Sequence, residues 1–130
     1  MQQSTQELAV STKRIWTGRV ISALPVLLLA FSAIGKLSKA DAVIQGMAHY
    51  GYPEHLIVAI GIIELLVALI YAIPRTAFLG AVLVTGYMGG ATATNVRLGD
   101  PSYVATVLLG VLAWVGLYLR DRRLHALVTR

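Results

Sequence analysis

Residues 56–73 read LIVAIGIIELLVALIYAI, eighteen residues whose one ionisable group, Glu64, sits almost at their middle. The hydrocarbon core of a bilayer is about 30 Å thick, so a spanning helix needs about 20 mostly apolar residues. This stretch qualifies. Its twelve Leu, Ile and Val residues favour insertion by at most about −4 to −7 kcal/mol. A carboxylate at helix centre opposes that by roughly 2.5–3.5 kcal/mol. The helix therefore tolerates Glu64, but at a cost that calls for a reason.

The rest of the chain is equally apolar. Of its 130 residues, 57% are hydrophobic and 13% charged, against roughly 25% charged in an average soluble domain. A mean hydropathy of +0.72 in a 14.0 kDa chain means more apolar surface than so small a globule hides inside itself. The net charge of +5 does not mark a nucleic-acid partner. The basic residues gather at the ends of apolar runs, and no basic stripe or Arg–aromatic array is present. Cysteine is absent, which excludes disulfides, thiolate metal sites and cysteine-based electron relays.

Three more stretches have the length and character of spans. The first, residues 16–36, is flanked inside by Arg19 and Lys36, whose long stems can snorkel to the headgroups. Pro25 lies within it, and a kink is expected there. The second span covers residues 55–73, with Pro53 at its entrance and Pro74 at its exit. The third covers residues 76–96 and follows so closely that spans two and three must form an antiparallel hairpin. The fourth, residues 103–119, follows the turn signal GDPS. The predicted fold is all-α: an integral membrane four-helix bundle, with a short amphipathic helix between spans one and two. Val43, Ile44 and Met47 repeat there at helical spacing, with Ser38 or Asp41 as N-cap.

Four spans put both termini on one face. That face carries Lys13, Arg14, Arg19, Arg75, Arg120, Arg122, Arg123 and Arg130, and the other carries Lys36, Lys39 and Arg97. The bias predicts cytoplasmic termini. Residues 1–14 are polar and unpatterned and are expected to be disordered on the cytoplasmic side, leaving a transmembrane domain over residues 15–121 and a basic cytoplasmic tail over 122–130. The competing reading is a signal peptide, with Lys13 and Arg14 before an apolar run that ends at AFSA, residues 30–33. Its apolar run is longer than a usual signal core, and N-terminal sequencing decides between the two.

Intramembrane acids generally face a bundle interior or a wet cavity and mark proton, ion or ligand sites. Glu64 is thus the candidate proton donor or acceptor, either protonated and hydrogen-bonded or paired with a cation. A purely structural helix–helix hydrogen bond is the alternative. At 1.5 Å per residue it lies about 12 Å from Leu56, near the midplane. Thr85 and Tyr87 lie at similar depth on span three, and Arg19 and Lys36 approach from opposite faces. Both cations also read as simple interfacial anchors.

Span three is rich in small and hydroxylated residues. Gly86 and Gly90 form a G-x-x-x-G pair suited to close helix packing. Thr92, Thr94, Asn95 and Arg97 gather at its outer end, where Lys36 and His49 complete a candidate polar vestibule. Trp114 and Tyr118, four residues apart on span four, suit either a flat ligand or ordinary lipid and helix contact. All three histidines lie outside the spans and no metal-ligand spacing occurs, so no metal site and no bis-His haem are expected.

The ordered segments GRVISALPVLLLAFSAIGKL, GYP, IGIIELLVALIYAIPRTAFLGAVLVTGYMGGATATNVRLGDP and LAWVGLYLRD resemble the DoxX-like family of bacterial membrane proteins. In relatives a His often occupies the place of Asn95, so a role for that His does not carry over. The resemblance implies a bacterial inner-membrane protein linked to quinone-using oxidoreductases, thiosulfate:quinone oxidoreductase among them, or to complexes that handle oxidative stress. Quinone is the implied, non-covalent cofactor. Glu64, Thr85 and Tyr87 would hydrogen-bond or protonate its oxygen, with Arg19, Lys36, Asn95 and Trp114 as further ligand-binding candidates. Other readings stay open: a non-catalytic assembly partner docking through the Gly-rich face, or a small proton-coupled transporter built on Glu64. The implied partners are the lipid bilayer and either further copies of the chain or another membrane or oxidoreductase subunit, not nucleic acid.

Overall fold

A computed structural model describes residues 2–128, with side chains from residue 12 on. Met1 and the last two residues of the basic tail lie outside the described residues. The described residues form six α-helices, α1 (Gln2–Leu37), α2 (Asp41–His49), α3 (Ile57–Ala72), α4 (Ala77–Arg97), α5 (Tyr103–Arg120) and α6 (Arg122–Val128), with a 3-10 turn at Glu54–Leu56 before α3. Four segments are long and apolar enough to span a bilayer: Thr12–Leu37, Glu54–Ala72, Ala77–Arg97 and Tyr103–Arg120. The protein is a multi-pass membrane four-helix bundle. Helix α1 packs on α3 and α5, and α4 packs on the same two from the opposite side, so the spans alternate in direction around a ring.

Helix α1 starts earlier than expected. The polar, unpatterned sequence of residues 1–14 predicts disorder, whereas α1 is helical from Gln2. No Gly or Pro occurs before Gly18, and adding turns to a helix already fixed by packing avoids the costly nucleation step. The helix also runs through Pro25, whose ring is fully buried.

Large apolar side chains turn outward on every span, among them Phe31, Ile63, Phe78 and Val107, with Phe31 79% exposed. In water this surface would aggregate the protein; in a bilayer it is the lipid-facing side. The interior is built from smaller residues, including Ala68, Ala77, Ala81, Val84 and Ala113, because lipid offers no hydrophobic drive and helices gain from close approach instead. A Cβ on Gly18 would lie 2.6 Å from the Arg120 amide nitrogen, so α1 and α5 cross almost backbone to backbone. One on Gly80 would run into the Tyr71 backbone across the α3–α4 hairpin. A Cβ on Gly61 would lie 2.9 Å from that of Lys36 where α1 meets α3. The G-x-x-x-G reading of span three is corrected: nothing lies within 4 Å of a Cβ placed on Gly86 or Gly90. These two face open space, so they do not join helices within this chain.

Tyr71 ties three spans together. Fully buried on α3, its hydroxyl donates to Ala113 O on α5 at 2.7 Å and lies 3.0 Å from Ser22 Oγ on α1. The Arg120 guanidinium stacks over its ring at 4.6 Å and donates to its carbonyl at 2.7 Å.

The outer end, opposite the chain termini, is roofed by the α1–α3 connection. Helix α2 takes Ala40, not Ser38 or Asp41, as N-cap, with no side-chain capping bond. Asp41 occupies the first turn, where its charge favours the helix dipole. Beyond α2, Gly51 adopts φ +89°, a left-handed conformation that glycine adopts without strain. The chain then crosses to α4: Tyr52 Oη and Thr94 Oγ1 are 2.8 Å apart, and Arg97 Nη2 donates to Tyr50 O at 2.7 Å. Asp100, in the α4–α5 loop, accepts the Ser102 N–H at 2.9 Å. That bond, more than any other contact, holds its carboxyl below the ordinary range.

The contrast among glycines is testable by reversible unfolding in mixed micelles. Gly80→Ala is expected to lose about 1–3 kcal/mol through overpacking against backbone. Gly86→Ala is expected to be neutral or slightly stabilising. Equal losses at both positions would contradict this account of the packing.

Candidate functional site: a buried ion pair beneath an outer cavity

Side-chain direction assembles the site. In a helix each Cα–Cβ bond tilts toward the N-terminus. Lys36, near the outer end of α1, therefore reaches back into the bundle. Glu64, on the antiparallel α3, reaches outward, and the two meet. Lys36 Nζ lies 2.8 Å from Glu64 Oε2. Lys36 is 8% exposed and Glu64 1%. Gly61, one turn from Glu64, leaves room for the lysine stem. Ser32, one turn before Lys36, accepts a second ammonium hydrogen at 2.6 Å. From α4 the Tyr87 hydroxyl donates to the same carboxylate oxygen, Glu64 Oε2. Three spans thus converge on one oxygen, while Glu64 Oε1 is buried with no hydrogen-bond partner among the described residues.

Above the pair lies a cavity of about 400 Å³, within the usual size of a small-molecule site. Lys36, Tyr87 and Asn95 give it polar groups, and Met47, Tyr52 and Ile63 are among its walls. Asn95 is 5% exposed and is the second polar side chain held in this buried wall. Gly86 and Gly90 also line it: their missing side chains are part of the space. Ile63 and both glycines are exposed to the outside of the bundle, so the cavity opens sideways between α3 and α4.

The sequence-predicted residues separate into three groups. Glu64, Lys36, Tyr87 and Asn95 come together. Thr85 and Trp114 do not join them: Trp114 Nε1 donates to Thr85 Oγ1 at 2.5 Å in a different groove, between α4 and α5. Residues two apart on a helix point to nearly opposite sides, so Tyr87 and Thr85 cannot both face Glu64. Arg19 is also elsewhere. It stacks on Trp16 at 4.9 Å and lines a cavity at the terminal face, so it does not close the gap to Glu64. Of the expected vestibule, Thr94, Asn95 and Lys36 are present, Arg97 braces the roof, and Thr92 turns away to pair with Thr106 at 2.7 Å. Ser32, Gly61 and Tyr52 escaped the sequence reading, and Met47 enters it only as part of the amphipathic helix. Ser32 and Lys36 four apart, and Gly61 three before Glu64, were the available signals.

Burying an ion pair gains little stability over an apolar pair of similar volume, whereas removing one partner is expensive. Glu64→Leu, which strands the ammonium, is expected to destabilise the bundle by about 3–5 kcal/mol. The double variant Lys36→Met/Glu64→Leu should recover most of that loss. Unfolding of all four proteins in mixed micelles closes the cycle; losses that simply add would mean the pair is uncoupled.

The chain matches the DoxX-like family over residues 20–116, which hold the ion pair, its three helices and the cavity above it. No curated protein and no solved structure matches it. A family match over most of the chain, carried by a four-span bundle, assigns it: the chain belongs to the DoxX-like family.

Proposed function

We propose that this protein is a quinone-binding membrane subunit and that the outer cavity receives the quinone ring. The observation that carries this reading is the buried Lys36–Glu64–Tyr87 cluster at the inner end of a cavity open sideways toward lipid. A lipid-soluble ligand enters by such a route without crossing water. A quinone carbonyl needs hydrogen-bond donors, and the Lys36 ammonium and the Asn95 amide are suited to that role. The uncompensated Glu64 Oε1 fits a carboxyl that carries or passes a proton. When bound, the quinone supplies a two-electron, two-proton couple. Lys36 orients the carbonyl, Tyr87 holds the carboxylate in place, and Glu64 takes up and passes on a proton at its free Oε1. With no cysteine in the chain, the electrons come from a partner redox subunit.

A second reading, an accessory subunit without a ligand, draws on the α4–α5 groove, where Gly89 and Gly110 form a small-residue face. The excess of Lys and Arg at the terminal face supports a cytoplasmic placement of that face in a bacterial inner membrane. In this cysteine-free chain, Lys39→Cys should react with an impermeant maleimide added to intact cells, and Ala126→Cys should not. The reverse pattern would invert the topology.

Protein purified in mild detergent is expected to yield quinone on organic extraction, near one per chain. Gly86→Leu, whose Cβ meets no atom within 4 Å and whose side chain would occupy the cavity mouth, should lower that yield about tenfold or more while the protein stays folded. Thr85→Ala should leave it unchanged. An extract without quinone, and no uptake of an added short-chain quinone, would exclude the reading and favour the accessory subunit.

A further inference from the structure

The opposite end of the bundle carries a second cavity, of about 270 Å³, lined by Arg19, Arg120, Arg122 and Arg123 with Asp121 and the Pro74 turn. Four guanidiniums thus face one carboxylate, and that carboxylate is engaged. Asp121 Oδ1 accepts the Arg123 N–H at 2.9 Å and the Leu124 N–H at 3.4 Å, and lies 3.6 Å from Arg123 Nε. Among the described residues the only ion pairs are Lys36–Glu64 and Arg123–Asp121, so Arg19, Arg120 and Arg122 have no acidic partner.

Two of these arginines are held in place. Arg120 is fixed by the Tyr71 ring and carbonyl, and its Nε is buried without a hydrogen-bond partner among the described residues. Arg19 lies over the Trp16 ring. Like charges converge in a concave site only at an electrostatic cost, which an anion would relieve. Arginine's planar fork matches phosphate oxygens in particular. The cavity sits where α5 ends and the α3–α4 turn begins, at the boundary between apolar spans and headgroups. Phospholipid phosphates lie at that level, and basic pockets between spans bind them.

From this geometry we infer that the cavity binds the phosphate of an anionic phospholipid headgroup, in the leaflet on the side of the chain termini. The site is separate from the quinone cavity and does not depend on it. The acyl chains lie along the apolar outer surface of the spans, and the phosphate contacts Arg19, Arg120 and Arg122.

The test is native mass spectrometry of the full chain in detergent, titrated with dioleoylphosphatidylglycerol or dioleoylphosphatidylcholine. The anionic phosphatidylglycerol should bind at least about tenfold more tightly. Arg19→Gln/Arg122→Gln, two exposed positions whose exchange leaves the core intact, should erase that preference, at roughly fivefold per arginine. Arg75→Gln, on the same face but outside the cavity, should keep it. Millimolar inorganic phosphate should not displace the lipid. Equal binding of the two lipids, an unchanged preference in the double variant, or displacement by inorganic phosphate would each overturn the assignment.

Discussion

The ion pair between Lys36 and Glu64 is the constraint on which the outer half of this bundle depends. A carboxylate near the midplane of a membrane helix must be neutralised or paired, and here the partner comes from the neighbouring span. Meeting that demand fixes the local approach of α1 and α3, which is close only because Gly61 has no side chain. Tyr87 then draws α4 onto the same oxygen. Three of the four spans are thereby set in register by one polar contact, in a medium where apolar packing alone discriminates poorly between registers.

The inner half is organised on another principle. There Tyr71 joins α1, α3 and α5 through neutral hydrogen bonds, and Arg120 covers its ring. Helices approach closely through Gly18 and Gly80, with small side chains between them. The helix crossings around Tyr71 are therefore tightly packed, whereas α3 and α4 enclose space at the outer end. Gly86 and Gly90 mark the difference: their surroundings are open, and they widen a cavity rather than draw two helices together. A single buried charge pair at the base of that cavity gives it chemical character, because buried ionic groups are weak contributors to stability and frequent contributors to function.

Much of this was legible in the sequence. Run length and composition disclosed four spans, and the isolated carboxylate of Glu64 disclosed the site's centre. Its partners were harder to read. Depth along the bilayer follows from residue counting, and by that measure Thr85 and Tyr87 were equivalent. Only the angle around the helix separates them, and it puts Thr85 beside Trp114. Between Arg19 and Lys36, reach alone was undecided as well. The direction of Cβ along a helix favours a lysine near the outer end of α1, pointing back toward the core. The role of Gly61 depends on which helix crosses which, a tertiary fact that local spacing does not contain. The G-x-x-x-G spacing of Gly86 and Gly90 likewise describes a face without naming what covers it.

The functional account stands on one claim: the space above Lys36, Glu64 and Tyr87 is where a quinone ring sits. Photolabelling with an azidoquinone in native membranes, followed by peptide mapping, tests it most directly. The account predicts label on residues 47–52 and 87–95, suppressed by excess unlabelled quinone. Label confined to the α4–α5 groove around Thr85 and Trp114, or spread evenly over the lipid-facing surface, would contradict it.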